Sequence, residues 1–231
     1  MISGLKKTFV EHLEELRGRI IKSVIFIIIT TALIFSFSDK ILSFISRGVD
    51  SLVFIAPQEA FLTTIKIALF GGLYLSSPFI LYQVWQFVSS GLESSEKKYA
   101  LIFGFFSFIL FLLGSIFGYL VIVPIGMRFL ISFGSEFLTP MISIGKYITF
   151  LTTLCFAFGL VFQLPVAILF LTKIGIITPK LLRERRKYAV IIIFIIGAIF
   201  TPPDIVTQCL MAVPLIALYE LSILLSTLVR R

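Results

Sequence analysis

Long runs of apolar residues without charged side chains dominate the pattern along the chain. A helix that crosses a membrane needs about 20 mostly apolar residues, and six runs approach this length. We predict spans near residues 20–38, 61–87, 99–123, 147–171, 187–201 and 205–224. The pattern therefore predicts an all-α integral membrane protein with six transmembrane helices, folded as one domain over residues 1–231.

Proline residues inside four of the spans predict that these helices are bent. They are Pro78, Pro124, Pro165 and Pro214. Each proline removes a helical hydrogen bond, so we expect a bent, curved bundle. Spans 5 and 6 are expected to be short. A run of about 16 residues reaches roughly 24 Å, less than the ~30 Å of the hydrocarbon core, so the hairpin of spans 5 and 6 is expected to sit shallow or to thin the bilayer.

Helical spacing before the first span predicts an interfacial helix within residues 1–22. Thr8 and Glu11 have the spacing of a capping box. An apolar stripe then follows at Phe9, Leu13, Leu16 and Ile20. Glu14 and Glu15 fall on the opposite face, so we expect this helix on the membrane surface with its acidic side chains in water.

The connections between the spans carry turn and capping signals. Residues 39–60 form the first long loop, in which apolar spacing predicts a short amphipathic helix. Residues 122–146 form the second long loop. Thr178 followed by Pro179 is typical of a helix N-terminus, and Asp204 is positioned to cap the last span.

Composition and charge narrow the class of protein and its orientation. The 231 residues are 58% hydrophobic and 14% charged, whereas a soluble domain has roughly 25% charged residues. A water-soluble fold is excluded because its interior could not hide this much apolar surface. Fifteen of the 20 Lys and Arg residues flank one side of the spans and four flank the other. The positive-inside rule then predicts a protein of the cytoplasmic (inner) membrane with both termini in the cytoplasm.

The net charge of +8 is explained by the basic residues on the cytoplasmic side and by their contact with the lipid bilayer. A nucleic-acid partner is not needed to explain it, and none is predicted. Enzyme chemistry is also sparse. No phosphate-binding loop of the pattern G-x-x-x-x-G-K-[ST] is present. The only histidine, His12, precedes the first span, and no Cys, His and acidic residues have metal-ligand spacing. We therefore predict neither an enzyme nor a cofactor.

Polar side chains within the spans are candidates for function because charges are costly inside a membrane. Lys66 lies near one end of span 2, Gln163 lies deep in span 4, and Glu220 lies near the end of span 6. Lys66 and Glu220 could instead snorkel to the interface. Gln163 could form an interhelical hydrogen bond.

Several motifs occur in order along the chain. They are His12-Leu13-Glu14-Glu15-Leu16-Arg17, Ser77-Pro78-Phe79, Trp85-Gln86-Phe87, Glu96-Lys97-Lys98, Phe158-Gly159, Leu164-Pro165-Val166-Ala167 and Thr201-Pro202-Pro203-Asp204. Together, in a six-span chain, they resemble the TatC family, the multispanning core of the twin-arginine (Sec-independent) protein translocase. The resemblance covers nearly the whole chain.

The resemblance implies a function in protein export. Members of the family recognise the twin-arginine signal peptides of folded cargo proteins at the cytoplasmic face. They form a complex with small single-span partners of the TatA and TatB types, in which self-association is also expected. Transport uses the proton-motive force without nucleotide hydrolysis, which agrees with the missing phosphate-binding loop.

The family carries signal recognition on two acidic positions, and these match Glu15 and Glu96 here. Leu16, Arg17 and Phe87 match positions that the family uses around the signal site. A guanidinium presents a planar fork of donors that suits a carboxylate, whereas lysine has no fork. We therefore expect arginine to be preferred over lysine.

Other roles for these side chains stay open at this point. Glu15 could pair with Arg19 one helical turn away. Glu96 could stabilise the start of span 3 through the helix dipole. Arg17 could bind lipid phosphates alone, and Asp204 could act only as a cap.

One position departs from the family, since many members have Glu where this chain has Gln163. A membrane-buried charge is therefore not essential here. Gln163, Asp204 and Glu220 are predicted as intramembrane polar or partner contacts. The alternatives to an export receptor are a secondary transporter for a small solute or an ion, and a purely structural membrane subunit.

Overall fold

The computed structural model describes residues 9–48, 52–92, 97–134, 141–201 and 204–229. Helices account for nearly all of these residues, which confirms the all-α prediction. The α-helices are α1 (Phe9–Phe35), α2 (Ser38–Ile45), α3 (Pro57–Ser90), α4 (Lys97–Phe117), α5 (Val123–Ile131), α6 (Ile144–Val161), α7 (Leu164–Lys173), α8 (Pro179–Glu184), α9 (Arg186–Phe200) and α10 (Ile205–Val229). The other elements are a 3₁₀ turn (Ser46–Gly48), a π-helical turn (Gly118–Ile122) and strands β1 (Leu52–Val53) and β2 (Ile142–Ser143).

Five helical segments in the described part of the chain are long and apolar enough to cross a membrane. They are Val10–Phe35, Pro57–Ser90, Leu101–Ile131, Ile144–Lys173 and Ile205–Leu228. These segments correspond to predicted spans 1 to 4 and 6, so the chain is a multi-pass membrane protein. Predicted span 5 corresponds to α9, whose 15 residues reach only about 22 Å.

The last span is longer than the sequence pattern predicted. Helix α10 has 25 residues, or roughly 37 Å, so the prediction that span 6 is short was wrong. The helix continues past Glu220, whose carboxylate accepts a hydrogen bond from Arg186 Nη2 at 2.7 Å. Beyond it, the hydroxyls of Ser222 and Ser226 donate to carbonyls of the same helix.

The predicted interfacial helix and the first span are one continuous helix. No helix end separates them, because α1 runs for 27 residues with Gly18 as the only weak helix former near the expected boundary. Its length of about 40 Å exceeds the hydrocarbon core. Thr8, the predicted N-cap, lies outside the described residues.

Two of the four prolines coincide with interruptions of a helix. Pro124 follows the π-helical turn and Pro165 follows the short turn between α6 and α7. Pro78 and Pro214 lie inside α3 and α10. The helical segment continues through the π-helical turn and past Pro124 to residue 131, so the second loop begins later than the predicted residue 122.

The described residues divide into two compact units, each with its own close-packed helices. Unit 1 consists of Met1–Asp50 and Ala60–Phe108, and unit 2 of Ser51–Glu59 and Ile109–Arg231. In unit 1, α1 and α3 approach closely at Gly72, whose carbonyl accepts a hydrogen bond of 3.0 Å from Thr30 Oγ1. The assignment of residues 1–231 to one domain stays a prediction.

Helix α6 forms the centre of unit 2, with Ile148, Leu154 and Phe158 fully buried. Small residues let its backbone approach α4. A Cβ atom on Gly114 would lie only 2.4 Å from the carbonyl oxygen of Phe158. Close backbone approach at small residues is a common way for membrane helices to pack.

Unit 2 also contains a loop connection that the sequence pattern did not predict. Strands β1 and β2 pair in parallel, with Leu52 opposite Ile142 and Val53 opposite Ser143. The predicted amphipathic helix of the first loop is confirmed as α2. The N-cap predictions are also confirmed, since Thr178 Oγ1 accepts from Leu181 N at 3.2 Å and Asp204 Oδ1 accepts from Thr207 N at 2.7 Å.

Candidate functional site

A groove of about 620 Å³ lies within unit 1, between α1, α3 and the first turns of α4. The lining residues recur at every helical turn, singly or as adjacent pairs, so one face of each helix lines the groove. They are Glu15 and Arg19 of α1, Pro78, Tyr82, Trp85, Gln86, Ser89 and Ser90 of α3, and Lys97, Leu101, Gly104, Phe105 and Phe108 of α4. The groove is the candidate site because it contains Glu15, a predicted recognition residue.

The Glu15 carboxylate is held by Arg19 on the next turn of α1. Arg19 donates two hydrogen bonds to the same oxygen, Glu15 Oε1, from Nε at 3.0 Å and from Nη2 at 2.5 Å. The side chains of Glu15 and Arg19 are 15% and 19% exposed. The alternative that Glu15 pairs with Arg19 is therefore confirmed.

This position corrects the expectation that the acidic face of the first helix points into water. Glu11 and Glu14 are exposed, whereas Glu15 is half-buried. The difference arises because α3 packs against the part of α1 that carries Glu15 and Arg19. The periodicity of α1 alone does not show which of its residues pack against α3.

Two glutamines of α3 complete the surroundings of Arg19. Gln83 Oε1 accepts from Arg19 Nη1 at 3.0 Å, and Gln86 Oε1 accepts from Nη2 at 3.4 Å. Gln86 Nε2 in turn donates to the Tyr82 hydroxyl at 2.9 Å. A continuous hydrogen-bonded chain therefore joins Glu15, Arg19, Gln86 and Tyr82.

Neither glutamine was predicted as a site residue, although the sequence contains a signal for Gln83. Gln83 is only 8% exposed and lies in a strongly apolar helix, one turn from Gln86. A buried amide in such a helix indicates a hydrogen-bond partner on a neighbouring helix. The partner, Arg19, could not be identified from that spacing alone.

Trp85 forms a fixed part of the apolar wall of the groove. Its Nε1 donates to Ser107 Oγ at 2.8 Å, and its ring stacks on Phe103 with a centroid distance of 5.8 Å. Gly104 packs against the indole, since a Cβ there would lie in contact with Trp85 Cγ at 3.4 Å. Leu101 and Phe105 extend the apolar surface along α4.

Leu16, Arg17 and Phe87 lie next to lining residues along α1 and α3 but do not line the groove themselves. Leu16 is half-buried and Arg17 is exposed. The Phe87 ring stacks on His12 with a centroid distance of 4.4 Å. Glu96 lies outside the described residues, although the residue that follows it, Lys97, lines the groove.

The predicted intramembrane polar residues belong to unit 2 and have local partners. Gln163 is half-buried in the turn between α6 and α7, where its backbone oxygen accepts from Ala167 N at 2.9 Å. Asp204 caps α10. Glu220 is exposed and pairs with Arg186.

Comparison with known proteins identifies the family. The chain matches the family described as Sec-independent protein translocase protein (TatC) over residues 11–214. A protein of that name from Carboxydothermus hydrogenoformans is 43% identical over 228 residues, which cover 96% of this chain and 94% of the relative. The one from Aquifex aeolicus is 39% identical over 229 residues, covering 96% and 95%.

Solved structures agree with this match. A structure described as "Crystal Structure of Twin Arginine Translocase Receptor- TatC" is similar with a TM-score of 0.86 and 39% identity, covering 95% of this chain and 100% of the other. A second structure of that receptor, in DDM, gives a TM-score of 0.85 at 38% identity, covering 93% and 99%. The chain therefore belongs to the TatC family of Sec-independent protein translocase proteins.

Proposed function

We propose that the chain is a receptor for twin-arginine signal peptides and a scaffold of the export complex that moves folded proteins. One observation carries the proposal: the half-buried Glu15 carboxylate already binds a guanidinium, that of Arg19, inside a groove with an apolar wall. The similar solved structures are described as twin arginine translocase receptors. The family match favours this function over a transporter for small solutes or ions.

The surroundings of Glu15 favour arginine over lysine. A charge-assisted hydrogen bond is stronger where water is partly excluded, and the Glu15 side chain is 15% exposed. A planar guanidinium fork can donate to both oxygens of the Glu15 carboxylate at once. A lysine ammonium brings a compact charge and lacks this fork.

The apolar wall suits the part of a signal peptide that follows its basic segment. Such peptides carry a positively charged region and then about 7–15 apolar residues. Leu101, Phe105 and Phe108 follow one another at helical spacing along α4, and Trp85 faces them from α3. We propose that the arginines bind near Glu15 and that the apolar segment lies along this wall.

Glu96 is proposed as the second acidic group, since it directly precedes Lys97 at the start of α4. Leu16, Arg17 and Phe87 are proposed as neighbouring contacts. Gln163, Asp204 and Glu220 are proposed as contacts to partner helices, with Asp204 and Glu220 also having the local roles described above.

The excess of Lys and Arg on one side of the spans supports a cytoplasmic position for both termini and for the groove. A signal peptide would then arrive from the cytoplasm, the side on which cargo is made. We propose single-span partners of the TatA and TatB types, self-association within the complex, and transport driven by the proton-motive force across the cytoplasmic membrane.

Binding to the full chain in lipid nanodiscs tests the proposal. A dye-labelled twin-arginine signal peptide is titrated against the unaltered chain, Glu15→Gln and the matched control Glu14→Gln, which removes the same charge from an exposed neighbour. We expect Glu15→Gln to raise Kd at least tenfold, since a hydrogen bond to a charged group contributes about 1.5–3 kcal/mol. Glu14→Gln should change Kd less than about twofold. Equal effects of both substitutions would contradict the proposal.

A further inference from the structure

The guanidinium on Glu15 belongs to the chain itself, so the predicted receptor group already has an ion-pair partner one turn away on the same helix. Arg19 is anchored one turn away on α1 and reaches the carboxylate without distorting the helix, as i, i+4 pairs do. We propose that Arg19 is an internal competitor, which an arginine of the signal peptide must displace from Glu15. The inference rests on the proposed function of the groove.

The described charges in the groove support competition. Its charged lining residues are Glu15, Arg19 and Lys97, which together carry a charge of +1. Among these lining residues Glu15 is the one carboxylate, so Arg19 and an incoming guanidinium have the same acceptor. A guanidinium of the peptide can pair with the Glu15 carboxylate only after the ion pair between Arg19 and Glu15 has broken.

Arg19 keeps other partners once it leaves the carboxylate. Its Nη1 and Nη2 already donate to Gln83 and Gln86, and these bonds do not depend on Glu15. The exchange therefore releases one ion pair and forms another, without leaving a half-buried guanidinium unsatisfied. The two glutamines form the resting position of the displaced side chain.

Internal competition has a defined thermodynamic consequence. If only the fraction of molecules with Arg19 displaced binds peptide, the apparent Kd equals the intrinsic Kd divided by that fraction. The same factor raises the apparent Kd of every peptide that binds through Glu15. Arg19 thus lowers the affinity for twin-arginine and twin-lysine peptides alike and leaves their ratio unchanged.

The experiment measures Kd for twin-arginine and twin-lysine peptides with the full chain in nanodiscs. The variants are Arg19→Gln, Arg19→Lys, Glu15→Gln, the double variant Glu15→Gln with Arg19→Gln, and Lys22→Gln. Lys22 is exposed on the same helix, so Lys22→Gln controls for the loss of one positive charge. Arg19→Lys keeps the positive charge and loses the planar fork. It therefore separates competition for the Glu15 carboxylate from the general electrostatic effect of a positive charge in the groove.

We expect Arg19→Gln to bind both peptides roughly two- to fivefold more tightly, the upper part of the range for a partly exposed ion pair. The Kd of Arg19→Lys should lie between those of Arg19→Gln and the unaltered chain. Lys22→Gln should change Kd less than about twofold. In the Glu15→Gln background, Arg19→Gln should give no gain.

Two results would overturn the proposal that Arg19 competes for Glu15. The first is weaker peptide binding by both Arg19 variants, which would make Arg19 a positioning residue. The second is a gain in affinity no larger than that of Lys22→Gln. Either result leaves the receptor function intact if Glu15→Gln still loses affinity. The receptor function itself fails if the unaltered chain binds no twin-arginine peptide, or if Glu15→Gln binds the peptide as tightly as the unaltered chain.

Discussion

Trp85 and Ser107 connect two helices that line the groove. The indole Nε1 of Trp85 on α3 donates a hydrogen bond of 2.8 Å to Oγ of Ser107 on α4, and Ser107 is only 1% exposed. Trp85 is the only tryptophan in the chain. Its fluorescence therefore reports on the groove without any added label.

We predict that Ser107→Ala weakens the contact between α3 and α4 and changes the surroundings of the indole. The loss of one interhelical hydrogen bond in a membrane protein costs about 0.6–1.7 kcal/mol. The free energy of unfolding in mixed micelles should fall by this amount, and the Trp85 emission should shift. Ser43→Ala is the control, because its exposed hydroxyl bonds only within α2 in the described structure. An unchanged emission in Ser107→Ala would contradict the predicted contact.

The close approach of α1 to α3 predicts that Gly72 does not tolerate a side chain. A Cβ on Gly72 would lie 2.4 Å from Thr31 Oγ1 and 2.7 Å from the Thr31 backbone, so the helices would have to separate. We expect Gly72→Ala to lower the free energy of unfolding by about 1–3 kcal/mol.

Gly18 provides the matched control on α1, since a Cβ there meets no atom within 4 Å. Gly18→Ala should be neutral or should stabilise the chain by up to about 1 kcal/mol, because alanine favours the helix. If both alanine variants unfold alike, the predicted close approach at Gly72 is contradicted.

The sequence predicted most of the helices because apolar run length and periodicity are properties of each segment alone. The same pattern put Glu15 on a water-facing side, and this was wrong because the side chain faces α3. Which helices become neighbours depends on packing, so the bonds from Arg19 to Gln83 and Gln86 could not be read from spacing. Strands β1 and β2 have two residues each, too few for any alternation to appear.

Glu59 is predicted to hold the first loop to the start of α6. Its Oε2 accepts from Ile55 N at 2.6 Å, and its Oε1 accepts from Gly145 N at 3.0 Å and from the Ser143 hydroxyl. Glu59→Ala removes all of these acceptors, so the amide protons of Ile55 and Gly145 should exchange severalfold faster with solvent. Glu59→Gln keeps one carbonyl oxygen and should retain part of the protection. Unchanged exchange in Glu59→Ala would contradict this role.

Asp204 is predicted to stabilise α10 as its N-cap. Its two carboxylate oxygens accept from the backbone N and the hydroxyl of Thr207, at 2.7 Å and 2.5 Å. Asp204→Ala should lower the free energy of unfolding by about 1 kcal/mol, whereas Asp204→Asn, also a good N-cap, should change it by a few tenths. If Asp204→Asn is as unstable as Asp204→Ala, the negative charge matters beyond the cap.

Glu15 is proposed to bind the guanidinium groups of a signal peptide and to prefer them to lysine ammonium groups. The most direct test is a double-mutant cycle in nanodiscs that combines Glu15→Gln with replacement of the peptide's two arginines by lysines, followed through Trp85 fluorescence with a tryptophan-free peptide. We predict a coupling free energy of at least about 1 kcal/mol, because both changes remove the same charge-assisted bonds. A coupling of zero, with each change acting independently of the other, would contradict the account.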